Sequence, residues 1–299
     1  MRVAVTGSSG FVGRALVARL ESEGHGVLRL LRPGSPPVPG SVEWDPGSWA
    51  IDIKALEGLD AVVHLAGAGI GIRPWTRSYK EKILRSRVDG TRLISETLAG
   101  LDRPPKVLLS ASAIGWYGDR GDEVLTENSP PGTGFRAEVC RRWEAATSPA
   151  ETAGIRVVHL RFGIVLGAGG GLLPVLVIPA RLGLGTRLGS GRQFVSWISL
   201  ADAVGAVVHL LAADRVSGAV NVASPEPVTN REFAQALSQT LGRPRIGWAP
   251  AWFLKLAAGK ERAKEVLLSS QRALPEKLVE AGYEFVDPDL RRTLGKCLK

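Results

Sequence analysis

The stretch "VTGSSGFVG", residues 5–13, decides the fold. It stands where the apolar run "RVAV" (2–5) hands over to an amphipathic stretch from about Phe11 to Glu23, with Gly7, Gly10 and Gly13 at three-residue intervals. Positions without a Cβ allow a tight turn, let backbone N–H groups approach a phosphate, and let a helix pack closely on a strand. The start of that helix then offers free N–H groups and the positive end of its dipole to the same anion. Thr6, Gly7, Ser8, Ser9, Gly10, Phe11, Val12 and Gly13 are therefore the first candidates for ligand contact, and the group they suit is a pyrophosphate.

Outward from this loop, apolar runs alternate with helix-period stretches. "GVLRLL" (26–31) and "VEW" (42–44) follow the first helix. "AVVHLAG" (61–67) leads into a helix from about Arg77 to Ala99, "KVLLSAS" (106–112) into a helix at about 134–153, and "IRVVHLRFG" (155–163) ends the series. Near-continuously apolar strands separated by helices imply a doubly wound α/β fold with a parallel sheet covered on both faces. Beyond Gly167 the texture changes: "GAGGG" (167–171) and "RLGLGTRLGSG" (181–191) separate short elements. Next come "QFVSWIS" (193–199), helices at about 200–212 and 229–241, and a tail from Pro250 with amphipathic helices and a "GYEFVDPDL" turn. The reading is a domain over 1–166, with segments near 193–223 returning to it, and a mainly substrate-side subdomain over 167–299.

The chain has 299 residues, 44% apolar and 22% charged, enough for a full core. No apolar run reaches the roughly 18 residues that span a bilayer, and the N-terminus runs straight into a strand, so the expected setting is cytoplasmic, away from membranes. Two distant cysteines and four scattered histidines give no metal-ligand spacing. The net charge of +9 points to anionic partners. Seven basic residues fall between Arg73 and Arg92, but no Lys/Arg run or aromatic interleaving marks a nucleic-acid surface.

At the end of the second strand, an acidic residue would hydrogen-bond the ribose of NAD. This chain has Arg32 there. A guanidinium offers no acceptor for a ribose hydroxyl but suits a 2′-phosphate, so NADP (NADPH) is the expected cofactor; the alternative is a solvated loop charge.

"TGSSGFVG" (6–13), "HLAG" (64–67), "RPWT" (73–76), "SRVDGT" (86–91), "SASAIGWYG" (110–118), "CRRWE" (140–144), "SWIS" (196–199) and "SSQRALPEKLVEAGYEF" (269–285) occur in this order. With them the chain resembles the extended short-chain dehydrogenase/reductase superfamily. More narrowly it is similar to the NAD-dependent epimerase/dehydratase branch of predicted nucleoside-diphosphate-sugar epimerases that carry a C-terminal domain of unknown function. The resemblance implies a Rossmann-type domain with NAD(P) across the sheet and a C-terminal substrate domain. It also implies His64, Leu65, Ala66, Gly67, Arg87 and Ser110 near the cofactor, with Ser112 at the position of the superfamily's serine. Relatives work with a Tyr-x-x-x-Lys pair, which this chain lacks: four residues after Tyr79, Tyr117 and Tyr283 stand Ile83, Gly121 and Asp287. Two registers of the expected helix put Phe135 and Val139, or Arg136 and Cys140, in the vacant positions.

On the helix 77–99 an advance of about 100° per residue places Arg87 in the middle of the apolar face made by Ile83, Ile94 and Leu98. A charge there needs a partner. Arg87 either points into the cleft to bind a substrate anion or supply missing catalytic charge, or forms a structural ion pair, for example with Asp119 or Glu123. Ser112, Arg87 and Tyr117 are the catalytic candidates, Tyr117 alternatively a packing residue. Arg73, Trp75, Lys80, Arg136, Gln193, Ser196 and Trp197 are the substrate-side candidates, and Cys140 is expected to be an inert thiol. Three readings stay open: an NADP-dependent oxidoreductase or epimerase-like enzyme on a small anionic substrate such as a nucleotide sugar, a non-catalytic NADPH-binding redox sensor, and an RNA-binding protein on this fold. The oligomeric state, a homodimer included, is open.

Overall fold

The computed structural model describes residues 1–36, 38–70, 73–181, 187–243 and 247–298. The first half runs β1 (Arg2–Thr6), α1 (Phe11–Ser22), β2 (Gly26–Leu31), β3 (Ser41–Asp45), β4 (Ala50–Ile51), α2 (Ile53–Leu56), β5 (Ala61–His64), α3 (Arg77–Ala99), β6 (Val107–Ala113), β7 (Val124–Leu125), α4 (Phe135–Ala145), α5 (Ser148–Thr152) and β8 (Arg156–Phe162). The second half continues with β9 (Ile164–Leu166), α6 (Leu173–Arg181), β10 (Arg187–Leu188), β11 (Phe194–Val195), β12 (Trp197–Ser199), α7 (Leu200–Ala212), β13 (Gly218–Val222), β14 (Val228–Thr229) and α8 (Asn230–Thr240). Then follow β15 (Trp248–Ala249), α9 (Ala251–Ala258), α10 (Lys260–Arg262), a π-turn at Ala263–Leu267, β16 (Arg272–Ala273), α11 (Glu276–Glu280) and α12 (Leu290–Leu298). Of the glycine-rich stretch 181–191, residues 182–186 lie outside the described residues.

One sheet organises the chain, in the order β13-β8-β6-β5-β1-β2-β3-β4 and parallel except for β3 with β4. The two-residue period of a strand sorts its side chains into two layers. Val3, Val5, Ala61, Val63, Val107 and Leu109 pack with α1 and α7, while Ala4, Val62 and Leu108 pack with α3 and α5. By the same alternation Ser110 and Ser112 continue the second layer. The chain leaves β1 toward β2 in one direction and reaches β5 in the other, so a crevice opens past the ends of β1 and β5. This is the expected doubly wound, Rossmann-type architecture.

Helix α3 starts at Thr76, whose hydroxyl accepts the Tyr79 N–H, and runs unbroken for 23 residues. The helix expected over 134–153 is two. Pro149 lacks an N–H and clashes with the preceding turn, so α4 ends at Ala145 and a fresh helix begins with this proline in its first turn.

A third cluster, with Leu173, Trp197, Phe233, Leu237, Leu290 and Leu294, holds α6, α8 and α12 together. The tail is tied back by Asp202 in the first turn of α7. Its carboxylate is buried and accepts the Ser199 hydroxyl at 2.7 Å, the N–H groups of Val286 and Asp287 at 2.7 and 2.9 Å, and the Tyr283 hydroxyl at 3.1 Å. The cap of α7 is Ser199, whose hydroxyl accepts the Asp202 N–H, and Asp202 serves as the anchor of the tail. Asp202→Ala leaves the Ser199 hydroxyl and the N–H groups of Val286 and Asp287 without their acceptor, the Tyr283 hydroxyl keeping the residue 202 carbonyl, and is expected to lower unfolding free energy by about 3 kcal/mol in urea denaturation. Asp214, beyond the other end of α7 with its side chain 89% exposed, is the control, its alanine variant shifting stability by less than about 0.5 kcal/mol.

Candidate functional site

The loop between β1 and α1 closes on itself, with the Gly10 N–H donating to Gly7 O at 2.9 Å and Gly7 at φ +65°. A Cβ on Gly7 would come within 2.9 Å of the Leu65 carbonyl carbon, and one on Gly13 would overlap Gly7 O. Ser9 and Gly10 face solvent, α1 has no side-chain cap, and the buried Ser8 Oγ has no partner among the described residues. A turn whose three glycines carry no Cβ, at the uncapped start of a helix, fits a pyrophosphate. Val12 packs into the core, and the Phe11 ring lies against Gly167, Gly170 and Gly171, so these two can offer a ligand only backbone.

Thr6 fastens the two strand ends that frame the crevice. Its Oγ1 accepts the N–H groups of Leu65 and Ala66 at 3.1 and 3.2 Å, leaving its own hydrogen for His64 Nδ1 at 2.8 Å. His64 therefore carries its hydrogen on Nε2, which has no partner among the described residues. Burial, helped by the charge of Arg32, depresses its pKa to about 3. Arg32 itself is exposed at the end of β2, and its guanidinium makes no hydrogen bond or ion pair among the described residues.

Helix α4 resolves the two registers. Cys140 Sγ reaches Ala113 O at 3.6 Å, Glu144 reaches Ser112, and the Arg136 guanidinium lies over Gly115, so Arg136, Cys140 and Glu144 face the end of β6. Phe135 turns the other way, edge-on to Trp75 with Lys80 over its ring. Burial pushes the Cys140 thiol up to about 11, which keeps it protonated and inert at neutral pH.

Beneath this face lies a buried ion pair that sequence reasoning missed. Arg161 donates from Nε and Nη2 to the two oxygens of Glu144, each at 2.9 Å. Ser112 donates to Glu144 Oε1 at 2.6 Å, so its hydrogen is already committed. The only signals were a lone arginine in the apolar strand "VVHLRF" and a glutamate one turn after Cys140. Arg161 also donates to the Tyr117 hydroxyl at 3.1 Å, which in turn donates to Asn221 Oδ1 at 2.7 Å. Tyr117 is wholly buried and burial raises its pKa. The expectation of a catalytic Tyr117 is corrected to a packing and network role.

Arg87 lies on the inner side of α3, where burial lowers its pKa. The ion-pair alternative fails: Asp119 accepts the Ser270 N–H, and Glu123 pairs with Arg120. Arg87 donates instead to the carbonyls of Ala68 and Ile83 at 2.9 and 3.1 Å and sits 4.8 Å from the Trp143 ring centre. Its Cζ would be 3.3 Å from a Cβ on Gly67, so the guanidinium borders the exposed turn after β5. Ser110 Oγ is buried without a partner among the described residues.

The substrate-side candidates divide. Arg73 is exposed, Trp75 Nε1 donates to Ile70 O, Lys80 pairs with Glu261 at 2.7 Å, and Arg136 donates to Glu265 O at 2.6 Å. Gln193, Ser196 and Trp197 are buried elsewhere, and their substrate role is corrected. Gln193 donates to Leu188 O and Leu267 O, Ser196 to Gln271 O, and Trp197 Nε1 to Glu226 O, so they serve to dock backbone. Among the described residues no helix is long and apolar enough to cross a membrane and no His/Cys/Asp/Glu cluster forms a metal site.

A histidine with a depressed folded pKa binds its proton more readily unfolded, so its stabilisation is complete above the unfolded value of 6.5 and is lost as pH falls toward about 3. The slope is about 1.4 kcal/mol per pH unit, and urea midpoints of His64→Gln should fall less steeply than those of the parent between pH 6 and 4.

The sequence profile of the NAD dependent epimerase/dehydratase family matches residues 3–223, and that of a domain of unknown function, DUF1731, matches residues 249–297. The epimerase family protein Mb2239 of Mycobacterium bovis is 42% identical over 98% of this chain and 96% of its own length. The human epimerase family protein SDR39U1 is 35% identical over the full length of both. A crystal structure of that human protein with NADPH superposes with a TM-score of 0.90 at 33% identity, covering 99% of each chain. The chain belongs to the NAD dependent epimerase/dehydratase family, as its motifs led one to expect.

Proposed function

We propose that this protein binds NADP(H) and acts as an oxidoreductase or epimerase-like enzyme on a small anionic substrate, a nucleotide sugar being one such compound. The observation that carries the cofactor reading is the pairing of the turn that holds Gly7, Gly10 and Gly13 with Arg32 at the end of β2, whose guanidinium has no hydrogen bond or ion pair among the described residues. The turn suits the pyrophosphate and Arg32 the 2′-phosphate. The human relative crystallised with NADPH has the same fold over its whole length.

When bound, the nicotinamide supplies or accepts a hydride. Arg87, beside Gly67, contributes fixed positive charge to the crevice. Ser112, its hydrogen given to Glu144, accepts hydrogen bonds and so orients a substrate hydroxyl. An arginine is a poor proton shuttle, and losing a positioned acid/base forfeits about 10²- to 10⁴-fold in rate, so the expected turnover is slow.

A second reading, an NADPH-binding redox sensor, is favoured by Arg136 and the protonated thiol of Cys140 in the vacant positions, neither of which exchanges a proton at neutral pH, and by the burial of Tyr117 in a hydrogen-bond network. NADPH carrying deuterium at the transferable C4 position separates the two. Label appearing in a metabolite of a cell extract supports the oxidoreductase, whereas tight binding without transfer excludes it and leaves the sensor or an epimerase that returns its hydride to the same substrate. For the cofactor, Arg32→Ala is expected to weaken NADPH at least tenfold and to leave NADH unchanged by fluorescence titration; equal losses for both would refute the 2′-phosphate assignment.

A further inference from the structure

Helix α9 has no polar face. Its inner side is Ala251, Leu254 and Ala258, spaced three and four residues apart, with Leu254 buried. The outward positions carry Trp252, Phe253, Lys255, Leu256 and Ala257, apolar but for the lysine, where a surface helix ordinarily shows charge. Trp252 is 68% exposed and Leu256, one turn on, 79%, and the Phe253 ring stands edge-on to Trp252 with centres 6.0 Å apart. Trp248, also exposed, stands in the strand that leads into the helix. Side chains of this size leave a few hundred Å² of apolar surface bare, enough to mark an interaction site.

The charges beside this helix are of one sign. No Asp or Glu occurs in residues 152–201 or 233–260. The two stretches meet where β10 pairs with β15, Arg187 opposite Trp248 with its guanidinium 5.7 Å from the ring centre. Arg187 Nε has no partner among the described residues. Lys255 and Lys260 are exposed, and their ammonium groups make no hydrogen bond or ion pair among the described residues. The next acids along the chain are already held, Glu261 by Lys80 and Glu265 by two N–H groups of α4.

A second copy of the chain does not suit this face. The bare area is below the roughly 800 Å² per partner of a stable interface, and a two-fold contact would set Lys255 and Lys260 against their own copies. Cations without free acids beside them ask instead for a surface that is negative in every orientation. Aromatic rings at headgroup level, an aliphatic side chain below them and lysines reaching back to phosphates are the parts of a helix that lies in a membrane interface. Such a helix needs no 18-residue run, so the expected setting away from membranes, which rested on spanning, does not bear on it.

We propose that the outer face of α9 docks on an anionic lipid bilayer, with Trp248, Trp252, Phe253 and Leu256 entering the headgroup boundary and Arg187, Lys255 and Lys260 meeting lipid phosphates. A patch this small with three cations gives reversible attachment rather than insertion.

Flotation of the full chain with large unilamellar vesicles tests this, using phosphatidylcholine alone and phosphatidylcholine mixed with phosphatidylglycerol. The chain should float with the mixed vesicles and not with the neutral ones, and should be released as salt rises from about 0.05 to 0.5 M. Trp252→Ser and Leu256→Ser, with urea midpoints showing the fold intact, should each weaken binding about fivefold or more, and Lys255→Glu with Lys260→Glu about tenfold or more. Ile53→Ser, an exposed apolar residue on α2, is the control that leaves binding unchanged. Failure to float with either vesicle, equal binding to both, or binding that survives Trp252→Ser with Leu256→Ser would overturn the proposal. So would a dimer in sedimentation that Trp252→Ser dissolves, which would give the face to a second copy, or a loss of NADPH affinity in Trp252→Ser, which would give it to the cofactor crevice.

Discussion

A guanidinium taken out of water has to be met by opposite charge or by hydrogen-bond acceptors, and the Arg161–Glu144 pair supplies both at the centre of the molecule. The pair joins β8 to α4, and through Ser112 it reaches β6 as well. Tyr117 and Asn221 extend the network to the turn after β6 and to the edge strand β13. Removing one partner from such a pair costs about 3–5 kcal/mol, a large part of the 5–15 kcal/mol that holds a typical domain together. The floor of the crevice is therefore fixed before any ligand arrives, and the hydroxyls of Ser112 and Tyr117 have their orientations set by structure rather than by substrate.

The C-terminal module is attached by a different kind of interaction. Gln193, Ser196, Ser270 and Gln271 exchange hydrogen bonds with backbone groups of segments far away in sequence, and β16 adds two residues of ladder to β7. Bonds of this kind contribute only about 1 kcal/mol each, but their geometry admits one arrangement. They bring Glu261 to Lys80 and Glu265 to the start of α4, so acidic residues of the tail meet the basic stretch that begins at Arg73. Part of the local positive excess in that stretch is answered from within the chain, with Arg85 and Arg92 also paired along α3.

Much of this architecture was legible in the sequence because it follows from short-range periodicity. The Gly7–Gly13 loop, the span of α3 and the inward direction of Arg87 all depend on spacings of two to seven residues, which side-chain direction fixes without reference to the rest of the fold. What stayed hidden depends on contacts across long separations. Tyr117 reads as a free hydroxyl until Asn221, 104 residues on, is placed against it. Ser196 and Gln193 look like ligand contacts in a loop until the carbonyls of the tail, more than 70 residues away, arrive to accept from them. The break between α4 and α5 follows from Pro149, a short-range signal that the reading of one helix over 134–153 did not use.

The chemistry of the crevice follows from which of its groups can still change protonation. The Ser112 hydrogen is directed at a carboxylate, and the Cys140 thiol is pushed up to about 11. Burial lowers the pKa of the Arg87 and Arg136 guanidinium groups, but from a starting value so high that they remain cations at neutral pH. Neither the Cys140 thiol nor the guanidinium groups of Arg87 and Arg136 give or take a proton near pH 7, while the two arginines bring positive charge to this region. Such a region stabilises a negative charge, whether resident in a ligand or developing on an oxygen, far better than it moves a hydrogen ion. On the reading of this chain as an enzyme, a proton required by the reaction has to travel by water or on the substrate itself, a requirement that comes from the chemistry of these groups as much as from the missing tyrosine.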